Sequence, residues 1–153
     1  MIKENTKAPI FTLLSTNKKN YSLKDSIGKY VVIYFYPKDN TPGCTLETID
    51  FSKLYRKFKS FKYEVIGISK DSIKSHLGFK KKYKVPFQLL SDQDVRVQRK
   101  YGVWGKKSFM GNKFMGTIRS TVIVNKGEIL KIWSNVRVKG HAQEVLAFLK
   151  TNK

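Results

Sequence analysis

The stretch Tyr34-Phe35-Tyr36-Pro37-Lys38-Asp39-Asn40-Thr41-Pro42-Gly43-Cys44-Thr45-Leu46-Glu47 joins a strand to a helix and sets the chain's one cysteine at the junction. Its first residues end the run Tyr30-Val31-Val32-Ile33-Tyr34-Phe35-Tyr36, unbroken in β-branched and aromatic side chains. Such a run reads as a strand buried on both faces of a sheet, and Pro37 ends it. Thr41 suits an N-cap and Pro42 the first helical position. From there Leu46, Ile49, Phe51, Leu54, Tyr55 and Phe58 keep an approximate helical spacing to about Phe61.

Outward from this segment, strands and helices alternate. Phe11 to Leu14 reads as a first strand and Asn20 to Leu23 as its partner, with a turn in Asn17-Lys18-Lys19. Glu64 to Ser69 is a second central strand. Asp71 or Ser72 can cap a helix running through Lys82. Phe87 to Leu90 follows as a strand, and Asp92 or Asp94 opens a short helix toward Tyr101. Gly102 to Gly116 reads as a Gly-rich connection. Thr121 to Val124 and Ile129 to Trp133 form a hairpin across Asn125-Lys126-Gly127-Glu128, and Ala142 to Leu149 is a closing helix. This order predicts an α/β protein: a mixed central sheet flanked by helices, compatible with a thioredoxin-like core. No linker or repeat divides residues 1–153, so one domain is expected.

Composition removes several function classes. A single cysteine excludes an internal disulfide, a zinc site of several thiolates and a dithiol redox motif. With His76 and His141 the only histidines and carboxylates scattered, neither a metal nor another cofactor is expected. No apolar region follows the N-terminal residues, and no run is long enough to span a bilayer, so a cytoplasmic protein without membrane association is expected. The net charge of +20 invites a nucleic-acid reading. Yet only Arg56, Arg96, Arg99, Arg119 and Arg137 are arginines among 31 basic residues, and Arg is what base-edge and phosphate-fork recognition favours. The lysines are also spread along the whole chain, which describes a solvated surface; no specific nucleic-acid partner is expected.

Cys44 is different. A lone cysteine is ordinarily a small buried hydrophobe, but this one lies in the first turn of a helix, between Gly43 and Thr45 and just beyond the end of a central strand. The free amides of a helix N-terminus favour a thiolate, and α/β sheets hold ligands outside the ends of their strands. Gly43 leaves room for a small substrate near the backbone, and Thr41 offers a hydroxyl close to the sulfur. Ionisation alone gains little: a thiol of pKa about 8.5 is already roughly 3% thiolate at pH 7, so full ionisation adds only about 30-fold. Larger acceleration needs a positioned substrate and a cation beside the leaving oxygen. Glu47 shares a helix face with Cys44 and itself needs a basic partner. Arg119, at the entrance of an apolar strand in a chain that elsewhere prefers Lys, is the candidate. His76 and His141 read as surface or structural residues, Trp104 and Trp133 as packing.

Pro37, Thr41 and Cys44 reproduce the peroxiredoxin pattern Pro-x-x-x-Thr/Ser-x-x-Cys. Tyr34 to Glu47, Tyr101-Gly102-Val103-Trp104, Met115 to Thr121 and Val138-Lys139-Gly140-His141 resemble, in order, the bacterioferritin comigratory protein (PrxQ) subfamily. The resemblance implies a thiol peroxidase that reduces hydrogen peroxide or organic hydroperoxides through a sulfenic acid on Cys44. It implies that Thr41 orients peroxide and sulfur, Pro37 shields the site from water, Arg119 stabilises the thiolate and peroxide oxygens, and Glu47 holds Arg119. Many members carry a resolving cysteine at the position of Ile49; this chain does not. It therefore resembles a one-cysteine variant recycled by an external thiol: thioredoxin, glutaredoxin or glutathione. A monomer or weak homodimer is expected. A peroxide sensor or redox-regulated binding protein using the same cysteine is the alternative reading.

Overall fold

The structure, a computed structural model, describes residues 2–26 and 29–152. A seven-stranded mixed sheet has the order β2-β1-β5-β4-β3-β8-β9. Its strands are β1 (Thr12–Ser15), β2 (Asn20–Ser22), β3 (Tyr30–Phe35), β4 (Tyr63–Ser69), β5 (Gln88–Ser91), β8 (Ser120–Asn125) and β9 (Glu128–Trp133). The central β3, β4 and β5 are parallel, while β1 and β8 border them antiparallel. Helices α1 (Pro42–Ser60), α2 (Ile73–Tyr83), α3 (Arg96–Lys100) and α4 (His141–Thr151) make the connections and the C-terminal end.

Strand β3 is buried on both faces, as its unbroken apolar run requires. Val32, Tyr34 and Tyr36 enter one core with Phe51 and Phe58 of α1, Phe79 of α2, and Val145 and Leu149 of α4. Val31, Ile33 and Phe35 enter the other, with Val97 of α3, Tyr101 and Phe11. The alternation is the period-two pleat of a strand between two layers.

Local signals fix several boundaries. Ser72 caps α2 by accepting the Ser75 N–H, and Lys84 ends it in the left-handed region. Helix α3 is held by Asp92, fully buried, whose carboxylate accepts the N–H groups of Val97 and Gln98. The β8–β9 turn places Lys126 and Gly127 at positive φ, as a two-residue hairpin of this hand needs.

One expected loop is not a loop. Within Gly102–Gly116, Trp104–Phe109 (β6) and Asn112–Thr117 (β7) pair as an antiparallel hairpin outside the main sheet. Its turn is Met110-Gly111, both at positive φ. Lysines and glycines on its strands hide the alternation that marks a half-buried strand, because the ladder is largely exposed on both faces.

Register carries the sheet's two halves to one site. Phe35, last in β3, pairs with Ser120, first in β8. Arg119 therefore stands at the same edge of the sheet as the loop leaving β3 for α1. Ser69 and Ser91 end β4 and β5 at that edge as well.

At the centre of β4, a Cβ on Gly67 would fall 2.8 Å from the Tyr34 ring and 2.9 Å from Leu89. Tyr34 cannot retreat, since its hydroxyl bonds Thr48 at 2.9 Å and its ring stacks on Phe51. Gly67→Ala is expected to destabilise the protein by about 1–3 kcal/mol, the usual cost of over-packing a filled core, read from the urea midpoint at unchanged m-value.

Candidate active site

Cys44 lies in the first turn of α1, whose N-cap is Thr41 and which begins with Pro42. The first intrahelical bond runs from Thr45 N–H to the Thr41 carbonyl at 2.9 Å. The amides of Gly43 and Cys44 precede it, at the positive end of the helix. Cys44 is 1% exposed.

Arg119 reaches this turn from the head of β8. One nitrogen of its guanidinium, Nη1, donates to Glu47 Oε1 at 2.7 Å; the other, Nη2, donates to Cys44 Sγ at 3.3 Å. A fork with two rigidly separated donors serves both acceptors at once. Gly43 makes room for it, since a Cβ there would lie 3.3 Å from Nη2. The space at Gly43 is thus taken by the guanidinium, where the sequence suggested room for substrate. The Arg119 carbonyl accepts the Val136 N–H at 2.9 Å, which fixes the backbone from the far side.

Glu47 is almost fully buried and its Oε2 has no hydrogen-bond partner among the described residues. Burial pushes its carboxyl from the ordinary 4.5 up to about 7, with Arg119 pulling down and Asp50 adding a smaller push upward. Arg119 is held in its charged form: burial opposes the charge, and the neighbouring Glu47 and Cys44 outweigh it.

Thr41 donates its hydroxyl to the Lys38 carbonyl at 2.7 Å rather than capping α1. The bond closes the turn after β3 and leaves the oxygen's lone pairs as acceptors. Pro37 is half-buried between β3 and α1. The structure thus brings Cys44, Glu47, Arg119 and Gly43 into contact, with Thr41 and Pro37 on the loop that leads to them.

Both histidines, read from the sequence as surface or structural residues, are buried. His141 starts α4 with Nε2 2.7 Å from Thr121 Oγ1, its ring edge-on to Phe51 and Trp133. His76 belongs to a network absent from the sequence reading. Asp39 Oδ2 lies 2.7 Å from His76 Nδ1 and accepts Ser75 Oγ–H, while Oδ1 accepts Tyr36 O–H at 2.6 Å. His76 Nε2 donates to the Leu90 carbonyl at 2.9 Å. Asp71 closes the ring by accepting the Asp39 N–H at 2.9 Å. Both oxygens of Asp39, both ring nitrogens of His76 and Oδ2 of Asp71 have protein partners, so the cluster is a hydrogen-bond network. Its effect is to pin the Pro37–Thr41 loop to β4, α2 and β5. Nothing periodic in the sequence points to it; Asp39 in a Lys-Asp-Asn turn was the only visible sign.

A parallel-centred sheet with a cysteine at the first helix after a central strand, opposite an arginine from a neighbouring strand, defines a thioredoxin-like protein of thiol chemistry. Residues 5–132 match the AhpC/TSA family. The chain is 45% identical to a putative peroxiredoxin of Coxiella burnetii, over 97% of this chain and 99% of that one. It is 41% identical to peroxiredoxin Bcp of Bacillus subtilis, over 97% and 96%. The structure overlays PrxQ of Xylella fastidiosa, as a cysteine-to-serine variant, with TM-score 0.90 and 32% identity over 99% of both chains. It also overlays the bacterioferritin comigratory protein of Xanthomonas campestris with TM-score 0.88 and 38% identity, over 93% and 91%, in a study of that protein's alkyl peroxide reduction. The chain belongs to the AhpC/TSA family, as a peroxiredoxin of the Bcp/PrxQ group.

Two outcomes test this geometry. His76→Phe leaves the buried Asp39 carboxylate without its imidazole and should cost about 3–5 kcal/mol in urea unfolding. The double variant Asp39→Leu/His76→Phe should lose less than the sum of the single losses; additive losses would deny the pair. For Glu47, the unfolded carboxyl titrates near 4.5 and the folded one near 7. Between these values the folded chain holds the extra proton, so this residue's contribution to stability falls as pH rises. Glu47→Gln should flatten that part of the stability–pH curve.

Proposed function

We propose that residues 1–153 form one thiol peroxidase domain in which Cys44 attacks hydrogen peroxide or an organic hydroperoxide and an external thiol restores it. The observation that carries this reading is the Arg119 fork, with one donor on the Cys44 sulfur and the other on the buried Glu47.

The thiolate attacks the outer peroxide oxygen; the O–O bond breaks, and the departing alkoxide or hydroxide takes a proton from solvent. Cys44 is left as a sulfenic acid. The Thr41 oxygen, its own proton committed to Lys38, accepts from the peroxide O–H and aims it at the sulfur. Charge grows on the leaving oxygen, where Arg119 and the amides at the head of α1 provide fixed donors. Glu47 keeps the guanidinium from swinging away. Gly43 lets the fork lie against the helix, and Pro37 keeps water from the sulfur.

The chain holds no second cysteine, and the resemblance puts Ile49 at the place where many members of the group carry a resolving thiol. The sulfenic acid therefore condenses with a thiol from outside: thioredoxin, glutaredoxin or glutathione. No helix among the described residues is long and apolar enough to cross a membrane, and we place the enzyme in the cytoplasm as a monomer or weak homodimer.

The test is the rate of sulfenic acid formation, followed with a dimedone-type trap. Cys44→Ser should remain folded and lose all peroxide reduction. Arg119→Lys keeps the charge but loses the fork, and oxidation should slow roughly 10²-fold, the range for removing one oriented donor. A rate near wild type in Arg119→Lys would remove Arg119 from the mechanism.

A further inference from the structure

The geometry points to a second binding site beside Arg119, for a small thiol that carries carboxylate, and we infer that such a thiol is the reductant. This rests on the peroxidase reading above and identifies the chemistry of its second substrate.

A cavity of about 430 Å³ opens on the outer side of Arg119, lined by Lys106 and Lys107 of β6, Ile118, and Asn135 and Val136 of the loop after β9. No carboxylate lines it among the described residues. Arg119 forms part of its wall, and Lys107, also in the wall, feels the charges of both Arg119 and Cys44.

The positive charges there are crowded. Lys107 is half-buried, and its ammonium donates to the Thr117 carbonyl at 2.9 Å. Burial and then Arg119 act against its charge, and Cys44 acts in its favour. An anion in the cavity would relieve this repulsion. Arg119 already bonds Glu47 and the Cys44 sulfur, whereas Lys106 and Lys107 have no ion-pair partner within 4.0 Å among the described residues.

Oxidation changes the balance. Cys44–S⁻ bears a charge and Cys44–SOH does not, so the oxidised site is more positive by one unit. The enzyme therefore attracts an anion most strongly in the state that needs its reductant. The carboxylate pairs with the lysines, and the reductant's thiolate attacks the Cys44 sulfur. An S–S bond forms, the S–O bond breaks, and the hydroxide leaves as water after taking a proton. A second thiolate then attacks the mixed disulfide, releasing the oxidised reductant and Cys44–S⁻.

The test uses the full chain, oxidised with one equivalent of hydrogen peroxide, which is itself neutral. Loss of the Cys44 thiol reports that first step. Mercaptopropionate, mercaptoethanol and cysteamine then supply anionic, neutral and cationic thiols, and each reduction rate is divided by the same thiol's rate against a small uncharged disulfide. The corrected rates should fall in that order, spanning roughly tenfold at low salt, and the span should shrink as salt is added. Lys106→Glu, an exposed position, should erase or invert the order while leaving the peroxide step unchanged. Lys19→Glu, at the β1–β2 turn near the opposite edge of the sheet, makes the same change in net charge and should leave the order intact. A flat series in the wild type, or equal loss in both variants, would overturn the site while the peroxide step stands. Failure of peroxide to consume the thiol would overturn the peroxidase reading and this inference with it.

Discussion

The guanidinium of Arg119, shared between a buried carboxylate and a buried sulfur, is the contact on which the site depends. Neither acceptor is well placed alone. Glu47 is almost fully buried with Oε2 unpartnered among the described residues, and burial holds its carboxyl up at about 7 even with the arginine pulling it down. Cys44, one turn away on the same face of α1, is nearly sealed from solvent. A single forked cation answers both, and the sheet register makes the meeting possible by ending β3 and beginning β8 side by side. The positions of α1, β3 and β8 are thereby tied to one group, which explains why a Lys at this position would keep the charge and lose the arrangement.

The loop before α1 is fixed by a different means. A helix N-terminus is a donor array only if the chain entering it is held, and here the entering chain is short, polar and turned through Asn40 at positive φ. Asp39 supplies the anchor by engaging β3 through Tyr36, α2 through Ser75 and His76, and Asp71 through its own amide. A buried polar network of this kind contributes little net stability compared with apolar packing, but it specifies one arrangement. That is what a site needs when its substrate is only a few atoms across, because so small a molecule has little surface with which to select among loop conformations.

Much of this was legible in the sequence for identifiable reasons. The run Tyr30 to Tyr36 carries its own burial in its composition, and Thr41-Pro42 announces a helix start. Cys44 was conspicuous because it stood at that start. Arg119 was legible because the chain so strongly prefers Lys that an Arg entering an apolar strand stood out. What was hidden lies in contacts without periodicity: His76 and Asp39 meet across two connections, and neither has a neighbour in sequence that predicts the other. The β6–β7 hairpin was hidden for the opposite reason. Its strands face solvent on both sides, so nothing in its pattern separates it from a glycine-rich loop; only the backbone ladder does.

That hairpin also gives the chain's excess charge a local meaning. A net charge of +20 spread over a surface acts on every anion alike and selects none. Selection requires cations held at fixed positions with no counter-charge of their own, near a group whose charge changes during the reaction. Lys106 and Lys107 meet the first condition because β6 is paired to β7 and hangs beside Arg119. Cys44 meets the second in the proposed reaction, which consumes a thiolate and leaves an uncharged sulfenic acid. A resolving thiol within the chain would make the second step intramolecular, with no need of attraction from outside. In the mechanism we propose the thiol comes from outside, so the field at the cavity mouth bears directly on the rate of that step.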